Sequence, residues 1–152
     1  MNSRRLALSF ALATFAALTL PAHAQVDKAT ANAIEGYFDF VDYSGGTLMA
    51  EQIPADDYKK LFVLDVRDAG QFAKDHIPGA VNIEWRKVFA ERGKLPKDKT
   101  ILVYCNTSSF SGQVAMALRM DGYENVRILH GGYGEWKARG GLEAYARAAK
   151  KS

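Results

Sequence analysis

An α/β domain with a mainly parallel central sheet is the fold class this sequence predicts, on two observations. Residues 61–66, 101–104 and 126–129 are short runs of nearly continuous apolar character, the pattern of strands covered on both faces. Helical stretches at 69–74, 111–120 and 132–139 separate or follow them, and strands alternating with short helices pack as crossover units on a parallel sheet.

The N-terminal segment stands outside that pattern. Arg4 and Arg5 precede a mostly apolar, uncharged run over residues 6–20, Pro21 ends it, and Ala22-His23-Ala24 offers a small-residue cleavage point before Gln25. These are the regions of a secretory signal peptide, and the run is shorter than the ~20 apolar residues of a membrane span. Ala7 stands where a twin-arginine signal would carry a bulky apolar residue, so the ordinary secretion route is expected. Residues 1–24 are therefore expected to be removed, leaving a periplasmic or secreted chain of 128 residues, one ordinary domain, with no membrane association after cleavage. The formal net charge of +3 loses two arginines with the signal, and the near-neutral remainder implies no nucleic-acid partner.

In the mature chain, Ala33, Ile34, Tyr37, Phe38 and Val41 recur at helical spacing, which predicts a helix over 30–41 within an N-terminal extension spanning 25–45. Tyr43-Ser44-Gly45-Gly46 breaks it. The domain proper is expected over 46–145, opening with an extended piece at Thr47-Leu48 and a helix over 50–59. Residues 146–152 are expected to form a basic tail, in which Arg147, Lys150 and Lys151 read as a solvated helix end. No internal repeat or low-complexity linker interrupts the chain.

A single cysteine rules out an internal disulfide, although oxidising compartments favour paired cysteines. Cys105 is either buried and inert or kept for its reactivity, and its surroundings favour the second. It follows the apolar run that ends at Tyr104, and Asn106-Thr107-Ser108-Ser109-Phe110 leads from it into a helix that opens near Ser111, with Val114, Ala117 and Leu118 on one face. Reactive groups in parallel sheets gather where strands end and loops lead into helices. A loop of small polar residues can aim its N–H groups inward, and together with a helix N-terminus it forms an anion site. A thiol placed there ionises below the ordinary value of ~8.5.

Three segments then carry a family resemblance. Leu64-Asp65-Val66-Arg67-Asp68 with Phe72 and His76-Ile77-Pro78-Gly79-Ala80-Val81-Asn82-Ile83 form the first; Val103-Tyr104-Cys105 with Ser111 six residues on forms the second; Leu129-His130-Gly131-Gly132 with Trp136 forms the third. In that order they resemble the signatures of the rhodanese family. The resemblance implies a three-layer domain, its mainly parallel central sheet flanked by helices. It further implies that Cys105 takes a sulfane sulfur from thiosulfate or a persulfide donor, holds it as a persulfide, and passes it to a thiol or cyanide acceptor. Asn106, Thr107, Ser108, Ser109, Phe110 and Ser111 would form the substrate-binding loop. No metal or organic cofactor is implied. The partners would be a small sulfur-containing anion or persulfide, a thiol acceptor, and a protein donor or acceptor if one docks.

The chain departs from the family at two loop positions. Many thiosulfate-using members carry a cation just before the serine that starts the helix and a glycine midway; Phe110 and Ser108 stand there instead. A divalent anion would gain only backbone dipoles and whatever Arg67 or Arg86 supplies, which counts against thiosulfate but not against a persulfide. Asp65 and Arg67 either frame the site or form a structural ion pair. His76 and His130 read as turn residues, and Trp85 and Trp136 as packing. Phe110 is either a docking surface or an aromatic tucked against a neighbouring helix. Two other function classes compete. The first is a non-turnover sulfane-sulfur carrier or binding module with the same fold, which the uncharged loop favours, although a binding-only domain would have no need of the thiol. The second is a cysteine phosphatase, which needs an arginine at the position of Ser111 to clamp its oxyanion.

Overall fold

The computed structural model describes residues 26–43 and 46–143; the expected signal segment, its cleavage point, Ser44-Gly45 and the basic tail lie outside the described residues. Five strands form one wholly parallel sheet: β1 (Thr47–Leu48), β2 (Phe62–Asp65), β3 (Val81–Asn82), β4 (Ile101–Tyr104) and β5 (Val126–Leu129), in the order β1-β5-β4-β2-β3. Six α-helices are described: α1 (Lys28–Phe40), α2 (Ala55–Tyr58), α3 (Ala69–Lys74), α4 (Trp85–Glu91), α5 (Ser109–Met120) and α6 (Gly132–Ala138).

The apolar runs become strands because the sheet is covered on both sides. Along β4, Ile101 and Val103 join Leu64, Val66, Val88, Val114 and Leu118 in one apolar cluster, whereas Leu102 and Tyr104 join Val63, Ile77, Leu129 and Trp136 in another. That alternation follows from the two-residue period of a strand. It places α4 and α5 over one face and α6 over the other, a three-layer arrangement. Cys105 continues the alternation onto the α4–α5 side. Strand order reverses between β2 and β4, which pair with Asp65 opposite Tyr104. The crevice beyond their carboxyl ends is the place where this architecture gathers ligand-binding groups.

Several elements differ from expectation. The predicted helix over 50–59 is two pieces, a 3-10 turn at Ala50–Gln52 and α2. Pro54 separates them, since its ring forces Ile53 into an extended conformation and removes an amide from the ladder. The first helix begins earlier than expected because the Asp27 side chain caps it, accepting from the Thr30 amide at 2.9 Å. β3, α4 and a 3-10 turn at Arg92–Lys94 occupy a stretch with no predicted element. The reactive-loop helix starts at Ser109 rather than near Ser111.

Candidate functional site

Cys105 leaves the central strand with its side chain 2 % exposed. The following residues curl back so that the helix begins beneath the sulfur. The turn depends on Ser108, whose φ of 80° is the one left-handed value at a non-glycine position among the described residues. Glycine adopts such a backbone freely, and other L-residues pay about 1 kcal/mol or more for it. Ser108 offsets that cost by donating its hydroxyl to the Leu129 carbonyl at 2.9 Å, which ties the loop to the end of β5.

Two further bonds fix which way the loop faces. The Cys105 carbonyl accepts the Tyr133 amide at 2.7 Å and the Asn106 carbonyl accepts the Gly134 amide at 3.1 Å. Both carbonyls thus satisfy otherwise unpaired N–H groups at the start of α6. Gly132 makes this approach feasible, because a Cβ there would lie 2.7 Å from the Asn106 carbonyl carbon and overlap the Cys105 oxygen. With the carbonyls turned toward α6, the amides of Thr107, Phe110 and Ser111 face the sulfur.

Burial alone would push the Cys105 thiol up. The Ser111 and Thr107 amides, the Ser111 hydroxyl and the Phe110 amide outweigh it, and the thiol is held below its ordinary range. Ser111 is itself fully buried; its Oγ lies 3.7 Å from Sγ and 3.1 Å from the Ser108 carbonyl, to which it donates. Rotating that hydroxyl proton toward a thiolate requires no backbone motion, which is how preorganised sites stabilise charge. The site is therefore poised to hold a sulfur anion. Alkylation of Cys105 by a small reagent such as iodoacetamide is expected to show its inflection below the ~8.5 of a free thiol; an inflection at or above that value would contradict the amide cradle. The same preference for thiolate adds stability above the ordinary thiol range, which is lost as pH falls through the lowered value.

The other expected site residues divide by position. Asn106, Thr107 and Ser109 are exposed around the sulfur. Asp65 and Arg67 form a buried bidentate pair: Arg67 Nη2 lies 2.6 Å from Asp65 Oδ2, and Nε reaches both oxygens at 3.0 Å. The Arg67 guanidinium also packs 4.2 Å from the Tyr133 ring centroid and donates to the Asp75 carbonyl at 2.8 Å. Arg86 is exposed and bonded to Glu84 at 2.7 Å, with its guanidinium 4.7 Å from the Trp85 ring centroid. His76 stacks on Phe72 and bonds its carbonyl at 2.8 Å, and His130 contacts Glu135 at 3.0 Å. Phe110 lies against the neighbouring helix, stacked on Trp85 with centroids 4.7 Å apart. Sequence reasoning did not identify the amides of Tyr133 and Gly134 as loop supports. Their only signal was the Gly131-Gly132 pair, whose φ values of 65° and 60° admit the close approach.

Residues 47–139 match the rhodanese-like domain. The thiosulfate sulfurtransferase GlpE of Coxiella burnetii is 34% identical over 80 residues, covering 53% of this chain and 75% of that protein. A sulfurtransferase of Allochromatium vinosum is 30% identical over 90 residues, covering 59% and 83%. The solution structure of the rhodanese-like domain of Alr3790 from Anabaena superposes with a TM-score of 0.58 at 29% identity, covering 63% of this chain and 76% of that one. The matched span, shared fold and sulfurtransferase relatives lead to one conclusion, that the chain belongs to the rhodanese-like domain family.

Proposed function

We propose that the protein is a sulfurtransferase that carries sulfane sulfur as a persulfide on Cys105. The observation that carries this reading is the amide cradle: a buried thiol at the end of the central strand, faced by the Ser111, Thr107 and Phe110 amides and the Ser111 hydroxyl, which hold its pKa below the ordinary thiol value. With thiosulfate as donor, the Cys105 thiolate attacks the outer sulfur, an Sγ–S bond forms, the donor S–S bond breaks, and sulfite leaves with the electron pair. A thiolate or cyanide acceptor then attacks the carried sulfur and Cys105 thiolate leaves. A lowered thiol pKa serves both halves, supplying the nucleophile first and a better leaving group second. Neither half requires a general base, in keeping with the engagement of His76 by Phe72 and of His130 by Glu135. Thr107, Phe110 and Ser111 amides would hold the persulfide anion, and Asn106, Ser108 and Ser109 shape the loop around it.

The transfer is tested by the intact mass of the reduced protein after exposure to a donor. A gain of one sulfur confined to Cys105 is expected, and failure to load from thiosulfate, polysulfide and organic persulfides alike would refute it. We further propose that the protein works outside the cytoplasm after cleavage before Gln25, on the strength of the Arg4-Arg5, apolar and Ala22-His23-Ala24 sequence. N-terminal sequencing of the exported protein checks this; an uncleaved chain in the membrane fraction would exclude it.

A further inference from the structure

A cleft of about 300 Å³ opens between α4 and α5, on the face of the sheet that carries the thiol. Trp85, Val88 and Phe89 line it from α4, and Val114, Ala117 and Leu118 from α5, with the exposed Arg86 and Gln113 as its polar members. The apolar surface continues past Phe89 and Ala117 to Met120. Phe89, Phe110 and Met120 remain 45 %, 45 % and 40 % exposed.

The cleft adjoins the reactive loop through Trp85, which lines it and stacks on Phe110, and the Phe110 amide faces the sulfur. Ser111 lies against Sγ, while Val114, three residues on along the same helix face, lines the cleft. That separation is about 4.5 Å of helix rise, and Cys105, Val88 and Val114 belong to one apolar cluster. Charge then distinguishes between ligands. Arg67 is committed to Asp65 and Arg86 to Glu84, and the loop from Cys105 to Ser111 contains no cation. A small dianion gains backbone dipoles and at most a solvent-screened contact with the exposed Arg86, whereas an apolar organic group gains the cleft as well.

We propose that the α4–α5 cleft holds the organic part of the sulfur donor, so that the donor class is an organic persulfide R–S–SH with an apolar R. This rests on sulfur transfer through Cys105. The Cys105 thiolate attacks the terminal sulfur, the Sγ–S bond forms, and the donor S–S bond breaks with its electron pair leaving on R–S⁻. The proton stays with the transferred sulfur, and no external oxidant or reductant takes part. Trp85, held against Phe110 of the reactive loop, offers an aromatic wall at the loop end of the cleft, and Ala117 sets its depth.

The test compares n-alkyl persulfides from ethyl to hexyl, released in situ, with thiosulfate on the intact protein. The specificity constant is expected to rise about fourfold for each methylene that enters the cleft, with at least a tenfold span from ethyl to hexyl. Ala117→Phe, which fills the cleft away from the sulfur, is expected to flatten the series and leave thiosulfate transfer unchanged. Phe110→Arg supplies a cation beside the thiol and is expected to raise the specificity constant for thiosulfate ten- to a hundredfold, the size of a charge-assisted contact. That gain should shrink as salt rises. A flat alkyl series in a protein that still gains one sulfur on Cys105 would overturn the cleft assignment and leave the transfer reading standing, as would efficient thiosulfate use by the unaltered protein. Absence of the mass gain with every donor would overturn the transfer reading itself.

Discussion

Cys105→Ser is expected to abolish sulfur transfer from every donor while the protein remains folded. A serine hydroxyl is not ionised near neutral pH and forms no stable bond to sulfane sulfur, so neither half-reaction has a nucleophile or a leaving group. No second cysteine exists in the chain to substitute. The fold should tolerate the change: the new hydroxyl is smaller than the thiol, and Ser111 together with the loop amides can hydrogen-bond to it. Rate measurements with thiosulfate and with an alkyl persulfide, alongside the variant's intact mass, give the readout. Turnover above the uncatalysed background, or sulfur gained by the variant, would remove Cys105 from the mechanism.

The largest effect on stability is expected from Asp65→Ala. Asp65 is fully buried and its carboxylate takes the Arg67 amide at 2.9 Å as well as the Arg67 guanidinium. Removing it leaves a buried cation whose main partner is gone, and breaking one half of a buried pair costs about 3–5 kcal/mol. For a domain of this size that lowers the thermal midpoint by roughly ten degrees or more. Asp65→Ala combined with Arg67→Met should recover part of the loss, because the cost lies in the orphaned charge rather than in the missing contact. Denaturant melts of the single and double variants give the coupling. A loss under about 1 kcal/mol for Asp65→Ala would show that the pair contributes little.

The strands β2, β4 and β5 were legible because burial on both faces demands apolar runs, and the sequence gives no reason to read such runs otherwise. Cys105 was legible for a related reason: a polar loop directly after a buried strand is where this architecture places its chemistry. β3 and α4 were not. β3 is two residues long at a sheet edge, with Val81 exposed, so it has no apolar run to show. α4 starts from Glu84, an unusual cap, and Val88 is its one buried residue, so its periodicity is too short to register. That omission mattered, because α4 carries Trp85 and with it one wall of the cleft. The supports from Tyr133 and Gly134 were hidden for a different reason: they act through backbone amides, which any residue but proline can supply.

The alternation of side chains along β4 makes the length of that strand part of the reactive site. Cys105 faces Ser111 and α5 because it stands an even number of positions from Ile101 and Val103, which point the same way. Insertion or deletion of one residue within β4 would carry the sulfur through the sheet to the layer of Tyr104, Leu129 and Trp136, away from every amide that stabilises it. The loop after Cys105 can change its side chains, because its cradle is made of backbone amides, but the strand before it admits no change of frame. Indels should therefore be excluded within β4, whose register aims the sulfur, and within the turn from Cys105 to Ser111, whose amides hold it.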